Sequence, residues 1–170
     1  MRGLFKALAY LHDEQNVIHR DIKPDNIILG SHKDLSKVKL LDFGLAVQDT
    51  LNTITDFAKC GTFLYKPPEQ VTNIFAYAKK ADIWASGIIM FYLLTGRHPI
   101  WNESINKIQM EQMMKTFKKF EYPKSMSQTA VHLISCLCQR KQSARYRPVN
   151  ALQHPFITRK LDQDVPLSDL

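Results

Sequence analysis

The spacing of apolar residues predicts a chain that is mostly helical. Residues 2–12 carry apolar side chains at every third or fourth position, which is typical of a helix with one buried face. Residues 81–95 are apolar on nearly every side and are followed by Gly96, so they predict a central buried helix. Three further helices are predicted toward the C-terminus, at residues 103–120, 127–140 and 148–154.

The rest of the pattern predicts little sheet and one long loop. Two short apolar runs, at residues 26–29 and 38–41, have the length of strands and are joined by a polar stretch that contains glycine. We interpret them as a β-hairpin. Residues 44–65 are rich in Thr, Asp and Asn without an apolar period, which indicates a surface loop. Loops of this length in compact domains are usually functional or disordered.

Length, charge and hydropathy bound the class of protein. A chain of 170 residues that is 45% hydrophobic predicts one domain with one core. Its net charge of +7 is spread along the chain without a basic arm, so we expect no nucleic-acid partner. The longest apolar stretch, residues 88–94, is far shorter than the roughly 20 residues that span a bilayer. Lys6 interrupts the apolar start, which argues against a signal peptide. We expect no membrane partner.

The cysteines indicate a reducing environment. Cys60, Cys136 and Cys138 are odd in number and lack the spacing of a secreted disulfide scaffold, so we expect an intracellular, cytoplasmic protein. His132 stands four residues before Cys136, a spacing compatible with metal binding on a helix. Because two ligands do not make a zinc site and the segment is otherwise apolar, we interpret these thiols as core residues.

The most specific motif is VIHRDIKPDNIIL at residues 17–29. Asp21 is followed by Lys23 two positions later and by Asn26 five positions later, between two apolar flanks. In order and spacing, this stretch resembles the catalytic loop of the eukaryotic-type serine/threonine protein kinases. The resemblance implies a kinase fold and transfer of phosphate from ATP to a protein hydroxyl.

The residue types of this motif suit phosphoryl transfer. A hydroxyl that attacks a γ-phosphoryl group must lose its proton and be aimed in line, which a carboxylate on a rigid loop achieves. The resemblance implies that Asp21 is this base, that Lys23 offsets charge on the transferring phosphate, and that Asn26 completes the catalytic set. Lysine at position 23 is similar to the serine/threonine class, so Ser or Thr hydroxyls of a protein substrate are favoured. His19 and Arg20 are implied as structural support.

A second motif, Asp42-Phe43-Gly44, follows the second predicted strand and resembles the metal-binding motif of the same family. Magnesium prefers hard oxygen ligands and takes only one or two of them from protein. The resemblance implies that Asp42 and Asn26 hold Mg²⁺ and, together with Lys23, bind ATP. Phe43 and Gly44 are implied as support.

A third motif, GTFLYKPPE at residues 61–69, resembles the end of a kinase activation segment, with Thr62 at the position that shapes the substrate site. Pro67 departs from the family's usual alanine, and we expect an altered backbone there, because proline fixes φ and lacks an N–H. Arg20 resembles an arginine that gathers an activation-loop phosphate. Ala58 cannot be phosphorylated, which leaves Thr53 and Thr55 as candidates.

Two further motifs are implied to brace the site. Asp82 at the start of the central helix is expected to hold the backbone of the catalytic loop; the alternative is a plain acidic residue at a helix N-terminus. RYRPVNALQHPF at residues 145–156 resembles the closing helix of the same lobe. By that match, Arg145 forms a buried ion pair with Glu69.

The five motifs lie in the family's order and predict a kinase C-terminal lobe at residues 1–157 and a polar tail at 158–170, with a weaker similarity to calcium/calmodulin-dependent kinases. Only 20 residues precede Asp21, so we expect the N-terminal lobe to be absent and this chain to be inactive alone. We further expect exposed apolar surface near Ile28 and Phe43, which favours self-association.

Two other function classes stay open from the residues. A non-catalytic scaffold would have no physical need of the polar residues of the catalytic loop. A small-molecule phosphotransferase of the aminoglycoside or choline type shares the spacing of Asp21 and Asn26 but lacks a segment such as residues 61–69.

Overall fold

The computed structural model describes residues 1–31, 34–50, 60–71 and 78–158. The helices and strands are, in chain order, α1 (Arg2–Ala9), β1 (Val17–Ile18), β2 (Ile27–Ser31), β3 (Asp34–Leu40), β4 (Val47–Gln48), α2 (Pro68–Val71), α3 (Ala78–Thr95), α4 (Lys107–Thr116), α5 (Gln128–Leu137), α6 (Pro148–Gln153) and α7 (Pro155–Thr158). A π-helical turn, Tyr10–Glu14, extends α1, and short 3₁₀ turns stand at Pro24–Asn26, Phe63–Tyr65 and Gln142–Ala144. The prediction of a mainly helical domain is confirmed.

Helix α3 forms the centre of the core. All of its residues from 81 to 91 are buried, and α5 packs along it so closely that a Cβ on Gly87 would lie 2.3 Å from Cys138 Sγ. The fully buried ring of Trp84 meets Phe117 edge-on, at 5.2 Å between centroids. Removing such a ring from a packed core costs about 3–5 kcal/mol. The helix is therefore a rigid base for whatever is attached to it.

The last turn of α3 differs from the prediction. Tyr92, Leu93 and Leu94 are 45%, 65% and 46% exposed, so the helix leaves the core before it ends. The hydroxyl of Thr95 bonds the carbonyl of Phe91 at 2.8 Å, and Gly96 stops the helix with a φ of +70°. An apolar sequence alone did not distinguish this exposed turn from the buried ones.

The strands form two small antiparallel pairs. Strands β2 and β3 form the expected hairpin, in which Ile27 pairs with Leu40. Strands β1 and β4 form a second pair, in which Val17 is opposite Gln48. The interpretation of residues 44–65 as loop throughout is therefore wrong at β4, because a two-residue strand is too short to show an apolar period.

The C-terminal helices are shorter than predicted. Helix α4 begins at a capping box in which Asn106 and Gln109 bond each other's backbone N–H, and α5 begins after the N-cap Ser127. The thiol of Cys138 is buried, but Cys136 is only half-buried, so its interpretation as a core residue is wrong. Cys136 lies against His132, with 3.5 Å between its Sγ and Nε2 of that ring.

Some predictions lie outside the described residues: the candidate phosphorylation sites Thr53 and Thr55, the neighbouring Ala58, and all of the tail except Thr158. Within the ranges given above, no helix is both long and apolar enough to cross a bilayer.

Candidate active site

Asp82 in α3 holds the backbone of residues 17–29, the candidate catalytic loop. The two carboxylate oxygens accept hydrogen bonds at 2.9 Å from the N–H groups of His19 and Arg20. Arg20 has a φ of +69°, a left-handed conformation that a non-glycine residue adopts only with outside support. The ring of His12 adds a third contact to Asp82 at 2.8 Å. A buried carboxylate is stable here because each oxygen has a partner.

His19 connects the catalytic loop to the Asp42-Phe43-Gly44 segment. Its ring is fully buried; Nδ1 accepts the N–H of Asp21 at 3.3 Å, and Nε2 bonds the carbonyl of Leu41 at 2.9 Å. Phe43 lies against the same ring, with 5.0 Å between centroids. The side chain of Arg20 reaches the same segment through a hydrogen bond from Nε to the carbonyl of Leu45. The loop and this segment are thus held as one unit.

The carboxylate of Asp21 is saturated with hydrogen bonds. Oδ1 accepts the N–H and the hydroxyl of Thr62, both at 2.8 Å, while Oδ2 is 3.0 Å from Lys23 Nζ and 3.2 Å from Asn26 Nδ2. Burial alone would raise the pKa of this carboxyl, but the hydrogen bonds from Lys23 and Thr62 outweigh it and hold the pKa below its ordinary value. Asp21 is therefore ionised and acts only as an acceptor.

Lys23 and Thr62 complete a triangle with Asp21. Lys23 Nζ donates to the hydroxyl of Thr62 at 3.1 Å, and its hydrogen bond with Asp21 raises the pKa of the ammonium, with further contributions from the carboxylates of Asp25 and Asp42. A positive charge next to the candidate base is thus secured at neutral pH.

Gly61 lets residues 61–69, the candidate activation segment, approach the loop that carries Asp21. Its φ is +84°, and a Cβ there would lie 2.5 Å from the carbonyl oxygen of Arg20. Glycine satisfies both constraints because it has no Cβ. Thr62 follows directly, so the position of its two donors depends on this contact.

Asn26 and Asp42 come together at the open end of the β2–β3 hairpin. The amide nitrogen of Asn26 donates to the carbonyl of Asp21 at 2.9 Å, and the N–H of Leu41 donates to the carbonyl of Asn26 at 2.9 Å. Asp42, the next residue, is exposed with a φ of +57°, and its Oδ1 accepts the N–H of Gly44 at 3.1 Å. Because Leu41 is bonded to Asn26 and directly precedes Asp42, the two candidate metal ligands lie at the same end of the hairpin.

This donor set fits a hard divalent cation. Across the described ranges, the amide oxygen of Asn26 and Oδ2 of Asp42 accept no protein hydrogen bond, and both are oxygens of the kind that Mg²⁺ prefers. The same ranges contain no group of three or more His, Cys, Asp or Glu side chains suited to a metal. Magnesium needs no such group, because water and phosphate complete its shell.

Glu69 and Arg145 form the buried ion pair that the resemblance implies. Two parallel contacts of 2.5 and 2.7 Å join the guanidinium to the carboxylate. The guanidinium carbon also lies 4.9 Å from the centroid of the Trp84 ring.

Pro67 stands immediately before α2, and its carbonyl accepts the N–H of Gln70 at 3.0 Å. Because Pro67 precedes the first turn of the helix, its missing N–H removes no helical hydrogen bond.

Sequence reasoning missed two histidines in this network. His12 belongs to no motif. The one sequence signal for its burial is its place four residues after Leu8, on the apolar face of the predicted helix. His98 follows α3 and bonds the activation segment at the carbonyl of Leu64, 2.9 Å from Nε2. Nothing in the local pattern around His98 indicated that contact.

The surface beside the site is apolar, as expected near Ile28 and Phe43. These two side chains are each 47% exposed. Leu29 and Leu41 are also exposed, by 53% and 40%, but Leu29 points to the opposite face of strand β2 from Ile28. We call Ile28 and Phe43 the hairpin patch.

Comparisons with known proteins agree on one family. The family model described as protein kinase domain matches residues 1–157. The chain is 37% identical over 162 residues to a probable myosin light chain kinase of Dictyostelium discoideum, which covers 91% of this chain and 50% of that protein. It is 35% identical over 170 residues to the human phosphorylase b kinase gamma catalytic chain, liver/testis isoform, which covers 94% of this chain and 39% of that protein.

A third relative is Aurora kinase A-B of Xenopus laevis, 33% identical over 173 residues, which covers 99% of this chain and 40% of that protein. The chain therefore spans about half the length, or less, of the curated relatives that it matches.

Proposed function

Because the chain belongs to the protein kinase family and is of the eukaryotic type, we propose that it performs the chemical step of a serine/threonine protein kinase. In this step the γ-phosphoryl group of ATP moves to a Ser or Thr hydroxyl of a protein substrate. The observation that supports the proposal most is the Asp21 carboxylate, ionised and held by Thr62 and Lys23 on a loop anchored to the core.

The geometry suggests how the substrate hydroxyl reaches Asp21. A carboxylate offers about four acceptor positions, and Thr62, Lys23 and Asn26 use them all. The substrate hydroxyl must displace one partner. Lys23 is the candidate, because its side chain is 23% exposed and its ammonium can turn toward the incoming phosphate. In that exchange Oδ2 accepts a hydrogen bond from the substrate hydroxyl, and the freed ammonium donates a hydrogen bond to a phosphate oxygen.

The bonding changes then balance. The substrate oxygen forms a bond to the γ-phosphorus as its proton passes to Asp21, and the bond from that phosphorus to the bridging oxygen breaks, which releases ADP. Magnesium, when bound, would neutralise charge on the phosphate oxygens. Asn26 and Asp42 would hold it through their oxygens. Thr62 keeps Oδ1 of Asp21 fixed throughout, so the base does not rotate away from the substrate.

We also propose that residues 1–157 form the C-terminal lobe of a kinase domain. The members of this family hold ATP with a Gly-rich loop, a strand lysine and a helix glutamate, and these 170 residues contain no match to that set. Positioning supplies most of the catalysis in phosphoryl transfer. We therefore propose that a polypeptide of these residues alone binds ATP poorly and has little or no phosphotransfer activity. The hairpin patch supports the proposal, since it offers an apolar face for further protein and for the adenine base.

The test compares Asp21→Asn with Asp25→Asn in the complete gene product. Asp25 is an exposed carboxylate on the same loop, so its loss changes the local charge equally without removing the base. With ATP, Mg²⁺ and a library of Ser, Thr and Tyr peptides, Asp21→Asn should lower kcat by about 10²–10⁴-fold, and Asp25→Asn should leave it nearly unchanged. Equal activity of both variants would reject Asp21 as the base. No transfer by any form, despite retained binding of a protein partner, would favour a scaffold.

A further inference from the structure

His98 bridges the end of α3 and the activation segment. Its Nδ1 accepts hydrogen bonds from the N–H groups of Ile100 at 3.1 Å and Trp101 at 2.8 Å. Backbone N–H groups can only donate, so Nδ1 carries no proton and the neutral ring carries its proton on Nε2. That proton is donated to the carbonyl oxygen of Leu64 at 2.9 Å. All of the hydrogen-bonding capacity of the ring is therefore used, and its orientation is fixed.

The carbonyl to which His98 donates belongs to the turn that directly follows Thr62. Leu64 is the middle residue of the 3₁₀ turn Phe63–Tyr65, and the N–H of Tyr65 bonds the carbonyl of Thr62 at 3.0 Å. The ring of Tyr65 also meets the ring of His98 edge-on, at 6.4 Å between centroids. One short turn therefore separates His98 from the two hydrogen bonds that Thr62 donates to Asp21.

The same construction occurs at His19. There, too, Nδ1 accepts a backbone N–H close in sequence, that of Asp21, and Nε2 bonds a distant carbonyl, that of Leu41. Leu41 directly precedes Asp42, and Leu64 follows Thr62 by two residues. Each histidine thus fixes the backbone next to one side of the site, one on the metal side and one on the substrate side.

We propose that His98 is a positioning residue for phosphoryl transfer, which acts by fixing the Leu64 carbonyl and thereby the donors of Thr62 to Asp21. The inference rests on the proposed function for its catalytic part and on the hydrogen bonds alone for its structural part. Burial lowers the pKa of His98, which keeps the ring neutral and its acceptor available. Asp82 already attaches the catalytic loop near one end of α3, and His98 attaches the activation segment at the other.

Two variants that each mimic one ring nitrogen of His98 separate its two sets of hydrogen bonds. His98→Asn keeps an acceptor near Nδ1 for Ile100 and Trp101 but cannot reach Leu64. His98→Gln keeps a donor near Nε2 for Leu64. Hydrogen–deuterium exchange in the complete gene product should show uptake across residues 61–66 faster by about tenfold in His98→Asn, as expected for one lost hydrogen bond. Uptake in His98→Gln should stay within about threefold of the wild type. Exchange across residues 130–137 in α5 reports global unfolding and corrects for it.

Kinetics then test the catalytic part. His98→Asn should lower kcat/KM for the protein substrate by about tenfold, with the KM for ATP unchanged, and His98→Gln should restore it. Equal uptake in both variants would overturn the inference. Faster uptake with unchanged kcat/KM would overturn the positioning role while leaving the bridge in place. A wild-type protein without any phosphoryl transfer would reject the proposed function and the catalytic part together, whereas the exchange result would still decide whether His98 holds the turn.

Discussion

The guanidinium of Arg145 and the carboxylate of Glu69 face each other as a buried bidentate pair, although 76 residues separate them along the chain. Breaking such a pair by removing one charge leaves the other buried and uncompensated, so we predict that Glu69→Gln lowers the free energy of unfolding by about 3–5 kcal/mol. Urea denaturation followed by circular dichroism measures it. The control is Asp13→Asn, which breaks the ion pair with Arg147, a residue that is 60% exposed, and should cost under about 1 kcal/mol. Equal costs would contradict the prediction.

The second prediction concerns Asp82, whose two oxygens accept the N–H groups of His19 and Arg20. Asparagine offers one oxygen in their place and turns an NH₂ group toward a donor, so Asp82→Asn should cost about 3 kcal/mol of unfolding free energy. Amide exchange at residues 19 and 20 should accelerate with it. Asp49→Asn, which breaks an ion pair with Lys79 on the same helix, is the control and should cost under about 1 kcal/mol. The prediction fails if the two variants are equally stable.

The third prediction uses two glycines that share a left-handed conformation. Gly96 has a φ of +70° and open space where a Cβ would stand, whereas a Cβ on Gly61 would lie 2.5 Å from the carbonyl of Arg20. Gly96→Ala should therefore cost only the conformational strain, about 1–2 kcal/mol. Gly61→Ala should cost clearly more and should also displace Thr62, which lowers phosphoryl transfer. Thermal unfolding of both variants checks this, and a smaller cost at Gly61 than at Gly96 would refute it.

The fourth prediction is a loss of stability in mild acid. His154 is buried; Nδ1 accepts the N–H of Phe156 at 3.2 Å, and Nε2 lies 2.8 Å from His132 Nδ1. Burial and the neighbouring His132 lower the pKa of His154 to about 4. Below the ordinary histidine pKa of about 6.5, the unfolded chain binds a proton that the folded protein excludes. Stability should therefore be full above that pH and fall as the pH drops from 6.5 toward 4.

Urea denaturation at pH 7 and pH 5 measures this loss. Cys136 and Tyr146 contact the same histidine pair, and burial also lowers the pKa of His132 and of His98. The slope therefore sums the contributions of this cluster and of His98, and the change in slope on substitution of His154 isolates the part that belongs to the cluster. His154→Gln should flatten the dependence. The carboxyl of Asp21 does not interfere, because its lowered pKa moves its own contribution below the ordinary aspartate range. An unchanged slope in His154→Gln would assign the acid sensitivity elsewhere.

The sequence alone predicted those parts of the site whose residues lie close together along the chain. Asp21, Lys23 and Asn26 lie within six residues, so one motif places all three, and the observed contacts among them agree with that spacing. The hairpin and the central helix were also predictable, because their apolar runs match the periods of a strand and of a buried helix. Long-range braces such as Glu69 with Arg145 were accessible only through the family resemblance.

The remaining features depend on tertiary contacts, which leave no periodic pattern of apolar residues in the sequence. The exposed turn at Leu93 has the same composition as the buried turns before it, and its exposure is decided by what packs against it. Strand β4 pairs over two residues only. His98 is single, polar and far in sequence from Leu64, and its role follows from the tautomer that Ile100 and Trp101 impose. Such bridges become visible only when atoms are placed.

The attachment of the site to both ends of α3 has a mechanical consequence. The helix has 18 residues, which makes it about 27 Å long at 1.5 Å per residue. A tilt about its middle would move the loop at Asp82 and the segment at His98 in opposite directions, because the two are attached on opposite sides of the midpoint of the helix. Small rotations would thus be amplified into separation of the base from its substrate-side partner. A tilt of this helix would therefore slow the proposed phosphoryl transfer without any change in the residues that touch the substrate.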